Sequence, residues 1–276
     1  MTAVAPQPQA QPQAQRQARS APSIAVRARD VIVSEWTKLR SVRSTYWTLL
    51  IAVVTALGGS VLLATGNAHS KGGKPLDPVA SIFIGWLEYP VLAVGILGVL
   101  TFTAECGSGQ IRTTFAAVPQ RLVVLAGKAS VAGAVTLAVG ELLAFTGFFL
   151  TQAILSGRSN AISLGQPGVL RAVLAGGGCL CVVTLLGFGL GAIIRHTAGA
   201  VAALPAVIYL PIVFATLPTP WNYWITRFTP VLAAFQLVSP HPSGHYFPPG
   251  LSLLVLIAWP AVALAVAGLL INSRDA

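Results

Sequence analysis

The stretch Ser34–Leu50, SEWTKLRSVRSTYWTLL, carries a basic, tryptophan-bearing segment straight into the first long apolar run of the chain. Lys38, Arg40 and Arg43 lie just before that run, which starts at Tyr46 and holds no charge until Lys71. Bases concentrate on the cytoplasmic flank of membrane spans, so the stretch reads as the place where a cytoplasmic segment enters a bilayer. Within it and just upstream, Ile32, Trp36, Leu39, Val42 and Tyr46 recur at three- and four-residue spacing, which predicts a helix over 31–45 with one apolar side. Glu35 and Arg43 fall within or beside that stripe. The helix is therefore expected to be weakly amphipathic and to lie on the membrane surface, with Trp36 and Trp47 in the headgroup zone and the bases snorkelling.

The remainder of the chain extends this reading. Its 276 residues are 55% hydrophobic and only 9% charged, with a mean hydropathy of +0.76, whereas soluble domains carry about a quarter charged residues. A span needs about 20 mostly apolar residues. Six runs qualify: Tyr46–Thr65, Val79–Thr103, Ala129–Leu155, Val169–Ile194, Gly199–Leu217 and Gly250–Ile271. The expected fold is an all-α integral membrane protein, six transmembrane helices preceded by an interfacial helix. An even number of spans brings both termini to the cytoplasm. Lys71, Lys74, Arg158, Arg171 and Arg227 then fall outside and the other 12 of the 17 Lys and Arg inside, the asymmetry expected of a plasma-membrane protein. The net charge of +10 is spread thinly at the ends of apolar runs, so the lipid bilayer and not nucleic acid is the expected partner.

Residues 1–29 are rich in Pro, Gln and Ala and cannot bury enough apolar area to offset their ordering entropy. They are expected to form a disordered cytoplasmic tail, or an arm for anionic lipid through Arg16, Arg19, Arg27 and Arg29, before a membrane domain over 30–276. The tail has no early apolar core, so no cleaved signal peptide is expected and the first span should be retained.

Motifs for covalent chemistry are missing. No segment matches the phosphate-binding loop, since Gly176–Cys179 lacks a following Lys, and the four histidines have no ligand spacing. Ser108 is the one suggestive serine, but it falls in a connection between spans. The chain is expected to hold no catalytic residue, metal or cofactor. Cys106, Cys179 and Cys181 read as small buried hydrophobes. Two acids, Glu88 and Glu141, fall inside spans. Intramembrane carboxylates are costly enough to suggest a polar site by default, yet Pro90 frees backbone groups beside Glu88 and gives a structural alternative. Arg171 is expected to snorkel.

Two polar connections remain. The inner one, Ala104–Lys128, orders Glu105, Gly107–Gly109, the stretch QIRTTFAAV with about two helical turns, Pro119 and Arg121. The outer one, Pro218–Pro249, is rich in aromatics and prolines around the short apolar stretch Val231–Val238; it suits an interfacial or re-entrant element, an aromatic anchor or a lid.

On these residues the chain resembles the permease subunits of ABC-2 type ATP-binding-cassette transporters, particularly the six-span permeases of actinobacteria. SEWTKLRSVRSTYW carries the resemblance, together with Glu105, Gly109, Ile111-Arg112, Pro119, Arg121 and Gly127-Lys128. The resemblance implies a type V exporter-like fold in which the first helix is a connecting helix and Gln110–Val118 a coupling helix, framed by Glu105 and Arg121. It further implies a separate ATPase subunit that binds ATP and Mg, and a second permease copy, identical or not. The Pro/Gln-rich tail is no part of that pattern. A proton-coupled transporter using Glu88 and Glu141 is the alternative.

Overall fold

The computed structural model describes residues 24–69, 78–118, 120–156, 161–240, 242 and 244–273, the side chains of 24–28, 67–69 and 78–89 excepted. Every regular element among them is helical: α1 (Ile24–Ser41), α2 (Arg43–His69), α3 (Pro78–Gly107), α4 (Gln110–Ala117), α5 (Arg121–Ile154), α6 (Val169–Ile194), α7 (Thr197–Tyr209) running into a 3-10 helix (Leu210–Thr216), α8 (Trp221–Thr226), α9 (Pro230–Val238) and α10 (Pro249–Ser273). Among the described residues six segments are long and apolar enough to cross a membrane: Arg43–Gly66, Pro90–Gly107, Arg121–Ile154, Val169–Ile194, Thr197–Thr216 and Pro249–Ser273. They correspond in order to the six expected spans. The chain is an all-α, multi-pass membrane protein.

Its exterior is apolar. Leu62, Leu142 and Leu269 are 73%, 68% and 71% exposed, tolerable only where the surrounding solvent is hydrocarbon. The centre is α6, which packs on α3, α5, α7, α9 and α10. Burial of the spanning windows falls from 61% in α6 to 22% in α2 and 17% in the fifth span. In lipid no hydrophobic effect drives helices together, and small residues that admit close backbone approach take its place. Gly98 on α3 faces the Thr184 carbonyl of α6, and Gly187 on α6 faces the Gly95 carbonyl of α3; a Cβ at either would collide with that oxygen. Between them Thr184 Oγ1 donates to the Val94 carbonyl at 3.2 Å. Gly140 on α5 and Gly177 on α6 form a second such crossing.

Four expectations need adjustment. The first helix begins at Ile24, so residues 24–29 are helical and not tail; the cut at 29 followed Pro and Gln content, whereas IAVRAR contains good helix formers. That helix ends at Ser41, with α2 starting at Arg43, instead of running to 45. The fifth span tightens to 3-10 geometry at Leu210, with Pro205 inside the α-helix and Pro211 opening the 3-10 turn; a proline removes the i to i−4 bond that would continue the α-helix. Of the cysteines, only Cys179 is fully buried, Cys106 and Cys181 being half-buried. Residues 1–23, with Arg16 and Arg19, and Lys71, Lys74, Arg158 and Arg274 lie outside the described residues, as does the side chain of Arg27.

The helix crossing gives a first prediction. Gly187→Ala places a methyl against the Gly95 carbonyl and should cost about 1–3 kcal/mol, as overpacking does. Gly178→Ala, with open space around its Cβ, should leave stability unchanged or slightly higher. Melting temperatures of the two variants in one detergent check the difference.

Candidate functional site

Four charged side chains meet where α1, α3 and α5 converge. Glu35 and Lys38 lie one turn apart on α1, Glu105 in the last turn of α3 and Lys128 two turns into α5. Lys128 Nζ contacts Glu35 Oε2 at 2.7 Å and Glu105 Oε1 at 2.6 Å; Lys38 Nζ contacts Glu35 Oε1 and the same Glu105 Oε1, both at 2.7 Å. Lys128, Glu105 and Glu35 are only 2%, 6% and 7% exposed, while Lys38 forms the solvent-facing lip. Two carboxylates and two ammoniums give a net charge of zero, the condition under which so many ions can be buried together.

Local structure explains the meeting. α5 has 34 residues, about 50 Å at 1.5 Å per residue, well beyond a hydrocarbon core of about 30 Å. That excess leaves room for an end of α5 to overhang the bilayer, and Lys128 lies two turns from its start. Beside it Gly127 has no side chain, and a Cβ there would stand 2.6 Å from Val31 Cγ1; the bare position lets α1 approach until Glu35 reaches Lys128. Glu105 sits at a helix C-terminus, unfavourable for an anion, and its two ammonium partners offset this. Burial alone would lower the pKa of Lys38, but hydrogen bonds to Glu105 and Glu35, and their charges, outweigh it and hold the ammonium above its ordinary value.

This corrects the expectation for the interfacial helix. Lys38 turns inward to the ion cluster instead of snorkelling, whereas Arg40 and Arg43 are exposed. The face that α1 buries contains Val31 and Glu35; Trp36 and Ile32, on the expected apolar stripe, are 47% and 43% exposed. Both line an open apolar groove along α5 with Val131, Val135 and Val139.

Helix α4 follows directly. Gly109 takes a left-handed φ of 73° that turns the chain out of α3, a conformation open to glycine at little cost. Ile111 and Phe115 face the bundle in a cluster with Phe102, Phe188 and Ile271, while Gln110, Arg112 and Thr113 are exposed. Arg121 clamps the far end: its guanidinium lies 5.7 Å from the Phe115 ring centroid and donates to the Ile271 carbonyl in the last turn of α10 at 2.8 Å. Pro119 lies outside the described residues. The structure thus brings Lys38 and Glu105 together, with Arg121 at the other end of α4, and leaves Gln110 and Arg112 free on its outer face.

The remaining candidates are dispersed. Glu141 is half-buried on α5 against Gly177, and its Oε2 is shielded without a hydrogen-bond partner. The side chain of Glu88 lies outside the described residues. At the opposite end of the bundle Arg171 donates to the Ser239 carbonyl at 2.7 Å, tying α6 to α9 where snorkelling was expected. Arg227 stacks over Trp224 and Phe247 at 4.6 and 5.0 Å, and α9 packs on α6 and α10, which favours an anchored element over a loose lid. Of the histidines, His196 caps α7 by accepting from the Gly199 N–H and His245 stacks on Tyr223; His241 and the His69 side chain lie outside the described residues. Among the described residues no group of His, Cys, Asp and Glu could hold a metal.

Glu35 and Lys128 were missed as site residues. The available signal was charge pairing: two acids and two bases beside the first three spans, with Glu35 and Lys38 at helical i, i+3 spacing. No protein-family model matches the chain, and no curated protein sequence does.

Two predictions follow from the cluster. Lys128→Met leaves an uncompensated buried negative charge and should cost about 3–5 kcal/mol, the usual penalty for breaking a buried pair. Glu105→Gln with Lys128→Met restores neutrality, and melting should show recovery of much of that loss. For Lys38, a raised folded pKa means that its contribution is complete below the ordinary value of 10.5 and is lost as pH rises through the folded value. The stability deficit of Lys38→Met relative to wild type should therefore be constant near neutral pH and shrink in strongly alkaline buffer.

Proposed function

We propose that this chain is the membrane permease subunit of an ATP-binding-cassette exporter of the ABC-2 type. It performs no covalent chemistry in this reading, and ATP and Mg bind to a separate ATPase chain. The observation that carries the proposal is α4: a short helix at the end of the bundle whose apolar side is seated on the spans and whose polar side, Gln110, Arg112 and Thr113, is exposed. A helix so placed suits a docking element for a second protein. The glycine turn joins it to α3, and Glu105, four residues before Gly109, is joined through the ion cluster to α1 and α5.

Force applied to α4 by a closing ATPase would reach three helices at once. The inward- and outward-open arrangements must then differ in contacts at this end, or nucleotide could not bias them. The α4 end, with both chain termini, faces the cytoplasm of the plasma membrane. A second permease copy packs in the membrane against the sparsely buried spans, α2 and the fifth.

A cysteine at exposed Thr113 should cross-link to a co-expressed cassette ATPase, and Arg112→Ala should reduce ATP-driven export several-fold with normal membrane insertion. Absence of any such cross-link, or export unaffected by loss of the ATPase, would sink the assignment. The shielded, unpartnered Oε2 of Glu141 favours one second reading, a proton-coupled carrier using Glu88 and Glu141. Transport that stops with Glu88→Gln/Glu141→Gln and on collapse of the proton gradient, without need of an ATPase, would favour it.

A further inference from the structure

Beside α4 lies a concavity of about 610 Å³ whose lining includes two arginines, Arg112 from α4 and Arg195 from the turn between α6 and α7. No acid lines it. Neither guanidinium has a hydrogen-bond or ion-pair partner among the described residues. Arg195 is held in place by its backbone: it caps α6 with a left-handed φ of 56°, its N–H donating to the Gly191 carbonyl at 2.8 Å. Such a position ordinarily takes Gly or Asn.

The opposite flank of α4 has the reverse sign. A smaller cavity of about 340 Å³ is lined by Asp30, Ser34, Thr113 and Thr114, with the cluster residues Glu35 and Lys38 behind. Asp30 is exposed and without a partner among the described residues. A uniformly anionic lipid surface would be attracted on one side of α4 and repelled on the other. A folded protein surface can present both signs in register.

We infer that Arg112 and Arg195 together seat an acidic side chain of the ATPase subunit, so that the α6–α7 turn belongs to the docking surface. The inference rests on the permease reading and adds a residue from a second connection to it. Two arginines lining one cavity suit a carboxylate, whose two oxygens can accept N–H donors from both.

The test uses the full chain in nanodiscs of neutral phosphatidylcholine and a cassette ATPase from the same genome that co-purifies with wild type. Arg112→Gln/Arg195→Gln should weaken ATPase binding at least about tenfold and flatten its salt dependence, with melting temperature close to wild type. Arg112→Gln alone, on an exposed side chain, should give an intermediate loss. Unchanged affinity in both variants overturns the carboxylate seat while the docking of α4 stands. A loss seen only in nanodiscs with anionic lipid overturns it in favour of a lipid phosphate. Failure of every cassette ATPase to bind wild type overturns the permease reading and the seat with it.

Discussion

Burying Glu35, Glu105 and Lys128 beside the half-exposed Lys38 is possible only if the four charges neutralise one another, and this constraint organises the α4 end of the molecule. Each desolvated charge would cost several kcal/mol alone, so Glu35, Lys38, Glu105 and Lys128 fix the register of α1, α3 and α5 together. The constraint also explains two backbone features. Gly127 must be bare for α1 to come within reach, and the chain between α1 and α2 breaks at Val42, freeing α1 to follow α5 instead of the first span. Arg121 adds a fifth charge at the edge of this region, where the Phe115 ring and the Ile271 carbonyl hold it.

Farther from that end, neutrality gives way to close packing. Surrounded by lipid, α3, α5 and α6 gain little from sequestering leucines and much from backbone contact, so glycines line their crossings. Large apolar side chains are displaced to the perimeter. The arrangement inverts a soluble bundle while keeping an aliphatic core around Leu180, Leu186 and Leu204.

The six spans were legible because length and hydropathy alone specify them. The connection from Ala104 to Lys128 was also legible, since Gly109 marks a left-handed turn and the QIRTTFAA segment behind it is helical. The orientation of α1 was not. Apolar periodicity identifies the face that avoids water, and at a membrane surface that face can meet lipid while a charged face is buried in protein. Trp36 and Glu35 show the result. Isolated charges at span ends look like snorkelling anchors one at a time, and only their balance across three helices distinguishes a cluster. The start of α1 at Ile24 lay below the resolution of composition, while Pro205 and Pro211 mark a break in the fifth span without specifying its 3-10 geometry.

The glycine crossing between α3 and α6 has a mechanical consequence. Sliding one helix past the other by a full turn, about 5.4 Å, would bring Val94 or Phe102 to the carbonyl now facing Gly98, and Val183 to the one facing Gly187, since residues four apart share a helix face. Shear of that size between these two helices is opposed, which favours their travelling as one strut. α4, hinged to the end of α3 through Gly109, is attached to the stiffest part of the molecule. α2 and the fifth span, with the smallest buried shares of the six, leave the most surface to the bilayer.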